Sequence, residues 1–150
     1  MTKLSLNSSF IMNFGPHKVP LNNVIYKTEY TYVFTNLMPV AEGHILVAPI
    51  RSVSLFHDLA NEEKTDFLKV LEFASRVMKK HLHTQALNLT IQDGPEAGQT
   101  VPHVHCHIIP LNLPPTFKKQ YPDDATREQT TNQYKEFFNE ELAIIQKKVA

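Results

Sequence analysis

The chain of 150 residues holds a single cysteine, Cys106, so no intrachain disulfide can form. A lone thiol suits a reducing compartment. Neither charge is in excess: 15 basic and 15 acidic residues cancel, and the sequence pI is near 7.1. A nucleic-acid binder shows a basic surplus or stripe, and there is none here, which argues against stable nucleic-acid binding. A small phosphorylated ligand needs only a local site. No stretch approaches the roughly 20 apolar residues of a membrane span, so no membrane association is expected. The opening MTKLSLNSSFIMNFG lacks the apolar run of a signal peptide. Together these absences predict a cytoplasmic protein, small enough to reach the nucleus as well.

What is present fits one domain spanning 1–150, since 42% of the residues are hydrophobic. "NNVIYKTEYTYVFTN" and "GHILVAPI" are rich in β-formers between polar breaks and read as strands. Residues 61–82 read as a helix. Asn61 suits the N-cap, Glu62 and Glu63 the positive end of the dipole, and Lys79, Lys80 and His81 the negative end. Phe67, Val70, Leu71, Ala74, Val77 and Met78 recur at helical spacing. Residues 86–92 and 101–110 read as strands, with "DGPEAG" as the turn between them. A last helix is expected over 125–147, with Tyr134, Phe137, Phe138, Leu142 and Ile145 on one side, packing on the sheet or a partner chain. Strand pairs with short connections and irregular helix placement predict an α+β fold with a mostly antiparallel sheet.

The densest signal is "TVPHVHCHIIP", residues 100–110, where His103, His105 and His107 occupy alternate positions. On a strand they share one face, and Val104, Cys106 and Ile108 take the other. His81 and His83 are also two apart, but at a helix end, where such residues do not face each other, so they read as surface. Three solvated histidines would be an unusual way to build a strand. A metal site is also poorly served. The outer pair of same-face histidines lies about 13 Å apart, against about 2.0–2.1 Å for a zinc–nitrogen bond. No nearby cysteine or carboxylate pattern nominates a third ligand, so no metal site is expected. Imidazole, however, titrates near neutral pH, so one ring can attack while another donates. His105, flanked on both sides, is the natural nucleophile. Two of the chain's four glycines, Gly94 and Gly98, fall in "QDGPEAGQT" directly upstream. Glycine-rich backbone cradles anions, and Gln92, Gln99 and Thr100 add neutral donors. A turn alone would need none of this chemistry; beside the histidine face, the loop reads as a phosphate cradle.

"HVHCHII" matches the His-φ-His-φ-His-φ-φ signature of the histidine triad family, where φ is apolar. "QDGPEAGQTVPHVHCH", "FTNLMPVAEGHILVAPIRSVSLFHDL" and "FGPHKV" resemble its fragile-histidine-triad branch, the dinucleoside polyphosphate hydrolases. The likeness covers about residues 13–110, with the loop and last helix, 111–150, outside it.

The resemblance implies a roughly five-stranded antiparallel sheet with two helices, joined across a homodimer. It implies a bis(5′-adenosyl)-triphosphatase activity that cuts diadenosine triphosphate to AMP and ADP through a covalent nucleotidyl-histidine. His105 would attack the α-phosphorus. His103 and His107 would sit around the phosphate, and His44 would support the nucleophile through a neighbour. Gln92, Gly98, Gln99, Thr100 and Val101 would line the phosphates, with His107 touching them. Asn36 would hold the ribose, His17 would lie at the nucleoside, and Phe14, Val19 and Phe34 would form the adenine slot. No cofactor is tightly bound in this reading, and Mg²⁺ or Mn²⁺ accompanies the substrate phosphates. Rival readings are a nucleoside phosphoramidase or nucleotidyl transferase of the same superfamily, against which Gln92 and the "GPEAGQT" loop argue, and a signalling module that acts while nucleotide-bound. Two departures stand out: Pro102 just before the triad, and a short proline-rich segment at 111–128 in which Tyr121, like Tyr134 beyond it, lacks the family's context for a modified tyrosine.

Overall fold

The structure is a computed structural model that describes residues 11–111 and 120–149. A small hairpin, β1 (Met12–Phe14) and β2 (His17–Val19), turns at Gly15. The main sheet follows, from β3 (Val24–Lys27), β4 (Thr31–Thr35), β5 (Ile45–Pro49), β6 (Leu87–Ile91) and β7 (Cys106–Pro110). Its order is β3-β4-β5-β7-β6, and every neighbouring pair is antiparallel. Helix α1 (Asn61–His81) joins β5 to β6, and α2 (Asp124–Val149) closes the chain. The expected α+β class and five-stranded antiparallel sheet are therefore present.

The alternation of strand residues sorts two cores. Val33, Ile45, Val47, Cys106 and Ile108 face the helices and pack with Phe67, Val70, Ala74, Val77, Tyr134 and Phe138. Tyr32, Phe34, Leu46 and Ala48 face the other way, beneath Met12, Phe14 and Val19 of the hairpin. The central strands are thus buried on both faces. The functional face of the sheet is roofed by the hairpin and backed by the helices.

Three expectations need correction. The helix cap is Ala60, not Asn61: Ala60 is extended, its carbonyl accepts the first helical bond from Lys64, and its N–H donates to the Glu63 carboxylate at 2.8 Å. The strand expected over 101–110 begins only at Cys106. Pro102 has no amide to pair, the His103 N–H turns back to the Val101 carbonyl, and the Val104 N–H goes to Val53 instead of a neighbouring strand. His81 is not plain surface: its ring stacks on Phe137 and lies 3.3 Å from Glu141, which holds α1 to α2. On α2, Tyr134 lies in the core as its place on the apolar side of the helix predicts, its hydroxyl accepting the Gly43 N–H at 2.9 Å. Residues 112–119 of the proline-rich segment lie outside the described residues. Among the described residues, no helix is long and apolar enough to cross a membrane.

Candidate active site

A cavity of about 480 Å³ opens beneath the hairpin, and His105 and His107 reach it from the start of β7. The sheet sets their place. His107 pairs with Leu46, and Leu46 with Phe34, so one row across three strands runs along the cavity floor. Phe14 and Val19 of the hairpin complete an apolar wall with Phe34, and Asn36, His17, Thr100 and Val101 line the same space. The structure thus brings together nine of the expected site residues: His17, Asn36, Thr100, Val101, His105 and His107 among the polar and loop positions, and Phe14, Val19 and Phe34 in the wall.

Backbone partners settle which ring nitrogens carry hydrogen, because an amide can only donate and a carbonyl can only accept. His105 Nδ1 lies 2.7 Å from the His103 carbonyl, so Nδ1–H donates and Nε2 keeps a lone pair. No described group bonds that Nε2. The ring stands edge-on to Phe14 at 4.9 Å, which fixes its plane. His44 Nδ1 accepts the Val40 N–H at 3.1 Å, so its hydrogen sits on Nε2. That Nε2–H donates to His107 Nδ1 at 2.9 Å, which in turn puts the His107 hydrogen on Nε2. The cavity therefore receives a bare imidazole nitrogen from His105 beside an N–H from His107, with ring centroids 5.0 Å apart. The Asn36 amide nitrogen lies 3.1 Å from the same His44 Nε2. Two donors cannot bond each other, so Asn36 keeps its N–H groups for other partners, while its oxygen accepts the Met38 N–H.

Burial keeps these rings neutral. His44 is held down to about 4 by burial, then by His107. His107 is held down to about 4 by burial, then by His105. Burial also lowers His105, against the opposing pull of the His103 carbonyl. At neutral pH the site is a set of uncharged imidazoles with assigned roles, one able to attack and one able to donate.

His103 is placed differently from its expected position beside the phosphate. It has no solvent exposure, and both ring nitrogens serve the backbone. Nδ1 accepts the Gly15 N–H at 3.0 Å and Nε2–H donates to the Pro49 carbonyl at 2.7 Å. It pins the hairpin to the sheet and presents its own carbonyl to His105. Gly15 must be glycine for this: its φ is +56°, and a Cβ would lie 2.9 Å from Val101.

The loop before the triad is also tied down. Gln99 accepts the Gly94 N–H at 2.9 Å and donates to the Ser54 carbonyl at 2.8 Å, and Asp93 accepts the Phe56 N–H at 2.9 Å. Gln99 thus shapes the loop with both ends of its amide. Gln92 packs over Gly98, where φ is +94° and a Cβ would come within 2.6 Å of the Gln92 amide nitrogen. Neither glutamine, nor Gly98, lines the cavity, whereas Thr100 and Val101 do. His44 acts from behind His107. Lys18, Leu37, Met38, Leu46 and Arg127 line the cavity without having been singled out in the sequence. Among the described residues, no group of three or more His, Cys, Asp or Glu side chains is arranged to hold a metal.

Comparison with known proteins places the chain among named relatives. A Saccharomyces cerevisiae bis(5′-adenosyl)-triphosphatase is 47% identical over 88 residues, 58% of this chain and 43% of that one. An Arabidopsis thaliana bifunctional bis(5′-adenosyl)-triphosphatase/adenylylsulfatase is 42% identical over 97 residues, 65% of this chain and 54% of that one. The chain thus spans about half the length or less of these curated relatives. A solved Plasmodium falciparum diadenosine triphosphate hydrolase superposes with a TM-score of 0.78 at 33% identity, covering 90% of this chain and 88% of that one. The HIT domain family model matches residues 18–112, which hold β3–β7, His44 and all three triad histidines, and the chain accordingly belongs to the HIT domain family.

Proposed function

We propose that the protein is a dinucleoside polyphosphate hydrolase that cleaves diadenosine triphosphate to AMP and ADP through a nucleotidyl intermediate on His105. The observation that carries this reading is the unprotonated His105 Nε2 directed at a cavity where a hydrogen-bond donor, His107, waits beside it. The similarity to enzymes named for this activity supports the choice of substrate.

In the first step the His105 Nε2 lone pair forms a bond to the α-phosphorus, and the bond from that phosphorus to the bridging oxygen breaks. ADP leaves as an anion, with the His107 N–H donating to the oxygen on which charge develops. The adduct keeps its Nδ1–H and gains positive charge at the ring, which makes the imidazole a good leaving group. The His103 carbonyl, already accepting that hydrogen, favours the charged ring. In the second step water attacks the phosphorus and the N–P electron pair returns to Nε2. AMP departs and the water's protons pass to solvent. Splitting one displacement into two lowers each barrier. The adenosine would lie against Phe14, Val19 and Phe34, with the Asn36 N–H groups on ribose oxygens, His17 at the nucleoside and Thr100 and Val101 at the phosphates. Gln92, Gly98 and Gln99 would hold that loop in register. A divalent cation such as Mg²⁺ or Mn²⁺ would arrive with the polyphosphate, and the active species would be a homodimer.

Product analysis tests the reading. The protein is incubated separately with diadenosine triphosphate and with adenosine phosphoramidate, and the products are resolved by chromatography. AMP with ADP from the first, formed much faster than AMP from the second, is the expected result. Fast phosphoramidate cleavage with an inert triphosphate would assign the site to the phosphoramidase branch.

A further inference from the structure

We infer that Arg127, near the start of α2, is a phosphate-binding residue of this cavity, so that the last helix is part of the active site. This rests on the nucleotide reading above and extends the site beyond the family match, which ends at residue 112.

Three observations carry it. Arg127 lines the same cavity as His105 and His107, and its guanidinium is fixed there: Nη2 donates to the Thr35 carbonyl at 2.6 Å and Nε to the Thr35 hydroxyl at 3.1 Å. Of a guanidinium's five N–H bonds, these use two, and the other three have no side-chain or carbonyl partner among the described residues. Next, the charge has no counterpart. The segments outside the described residues contain no Asp or Glu, so all 15 acidic residues are described, and none forms an ion pair with Arg127. Asp124 and Tyr121 are near enough to favour its charge, but burial outweighs them. Removing a cation from water without a partner is costly unless a ligand supplies the opposite charge. Finally, among the described residues the formally charged side chains lining the cavity are Lys18 and Arg127, and no carboxylate lines it, in a chain whose net charge is zero. The cavity is built for an anion, and a planar guanidinium suits phosphate oxygens. Thr35 directly precedes Asn36, so the charge stands at the end of the cavity where the nucleoside is placed. The phosphate could belong to the polyphosphate chain as it leaves the site or to the ribose.

The test compares wild type with Arg127→Met and Arg127→Lys for KM and kcat on diadenosine triphosphate. Equilibrium binding is measured for inorganic triphosphate, adenosine and adenosine 3′,5′-bisphosphate. Arg127→Met should raise KM about tenfold or more, the scale of a lost charge-assisted hydrogen bond, with a smaller effect on kcat. Arg127→Lys should recover most of it. Weaker triphosphate binding with unchanged adenosine binding supports the polyphosphate chain as the ligand. A loss confined to the bisphosphate supports a ribose phosphate. Wild-type affinity for all ligands in a folded Arg127→Met overturns the proposal and makes the residue a helix anchor. If that variant does not fold, Thr35→Val loosens the tether instead: selective loss of the phosphate ligands supports the proposal, and equal loss of adenosine overturns it. A protein that binds triphosphate through Arg127 yet leaves diadenosine triphosphate intact refutes the hydrolase alone. A working hydrolase whose Arg127→Met variant keeps wild-type KM and wild-type affinity for both triphosphate and the bisphosphate refutes this inference alone.

Discussion

The four histidines of the site divide their labour by what each ring nitrogen touches, and the division makes separable predictions. His105 bonds only a backbone carbonyl through Nδ1, so His105→Ala should lower turnover by about 10⁴-fold or more. Its stability should fall less than that of His103→Ala, since one carbonyl rather than a carbonyl and an amide loses its partner, and nucleotide binding should persist. His103→Ala should show the reverse emphasis. It strands the Pro49 carbonyl and the Gly15 N–H in the interior, at a cost of about 2–4 kcal/mol by chemical denaturation. His44→Phe leaves His107 free to take the other tautomer, with Nδ1–H and no hydrogen facing the cavity. The loss in kcat should be about 10²-fold, within the usual range for a misplaced donor, with KM changed far less. The pattern HVHCH made all three triad histidines visible in the sequence, because period-two spacing marks a face. It could not divide their roles, since the partners of His103 and His107 lie in distant segments: Pro49 and Gly15 for His103, and His44 for His107.

At the scale of elements, glycine and capping positions carry the clearest tests. Gly98→Ala places a Cβ at φ +94° against Gln92. It should destabilise the protein by about 1–2 kcal/mol and raise KM through the displaced loop that carries Thr100 and Val101. Glu63→Ala removes the acceptor of the Ala60 N–H and the partner of Arg51, whose Nη2 lies 2.6 Å from its carboxylate. The expected loss is about 1–2 kcal/mol of stability, with kcat and KM unchanged. Sheet strands and helices were legible in the sequence because their apolar periods were strong. The β7 start was misplaced because period-two alternation continues through 101–105 while Pro102 and the turns of the Val101 and Val53 hydrogen bonds break the ladder. Arg127 carried no signal at all. It lies 92 residues from Thr35, and an arginine in a polar first turn reads as solvated surface.

For the whole molecule, pH should set a stability plateau. His44 and His107 titrate near 6.5 in the unfolded chain and near 4 in the folded one. The folded state therefore binds fewer protons between those values, and stability falls as pH drops from 6.5 toward 4. Cys106 is pushed up to about 11 by burial, from 9.0. The unfolded thiol ionises first, so stability falls again as pH rises from 9 toward 11. Denaturation midpoints across pH 4–11 should be highest between about 6.5 and 9, and His44→Phe should flatten the acid side. A fold class and a histidine face followed from patterns along the chain. The apolar floor and the cation on α2 follow only from the sheet order β3-β4-β5-β7-β6, which brings segments far apart in sequence to one cavity. The central claim is that His105 becomes covalently bonded to the substrate. The most direct measurement is a rapid alkaline quench of excess protein with diadenosine triphosphate labelled in adenosine, followed by mass spectrometry of the peptide containing residues 103–107. ADP should be released ahead of AMP, with an adenylyl group on His105. AMP and ADP appearing together, with no label on the protein or with label on another residue, would contradict it.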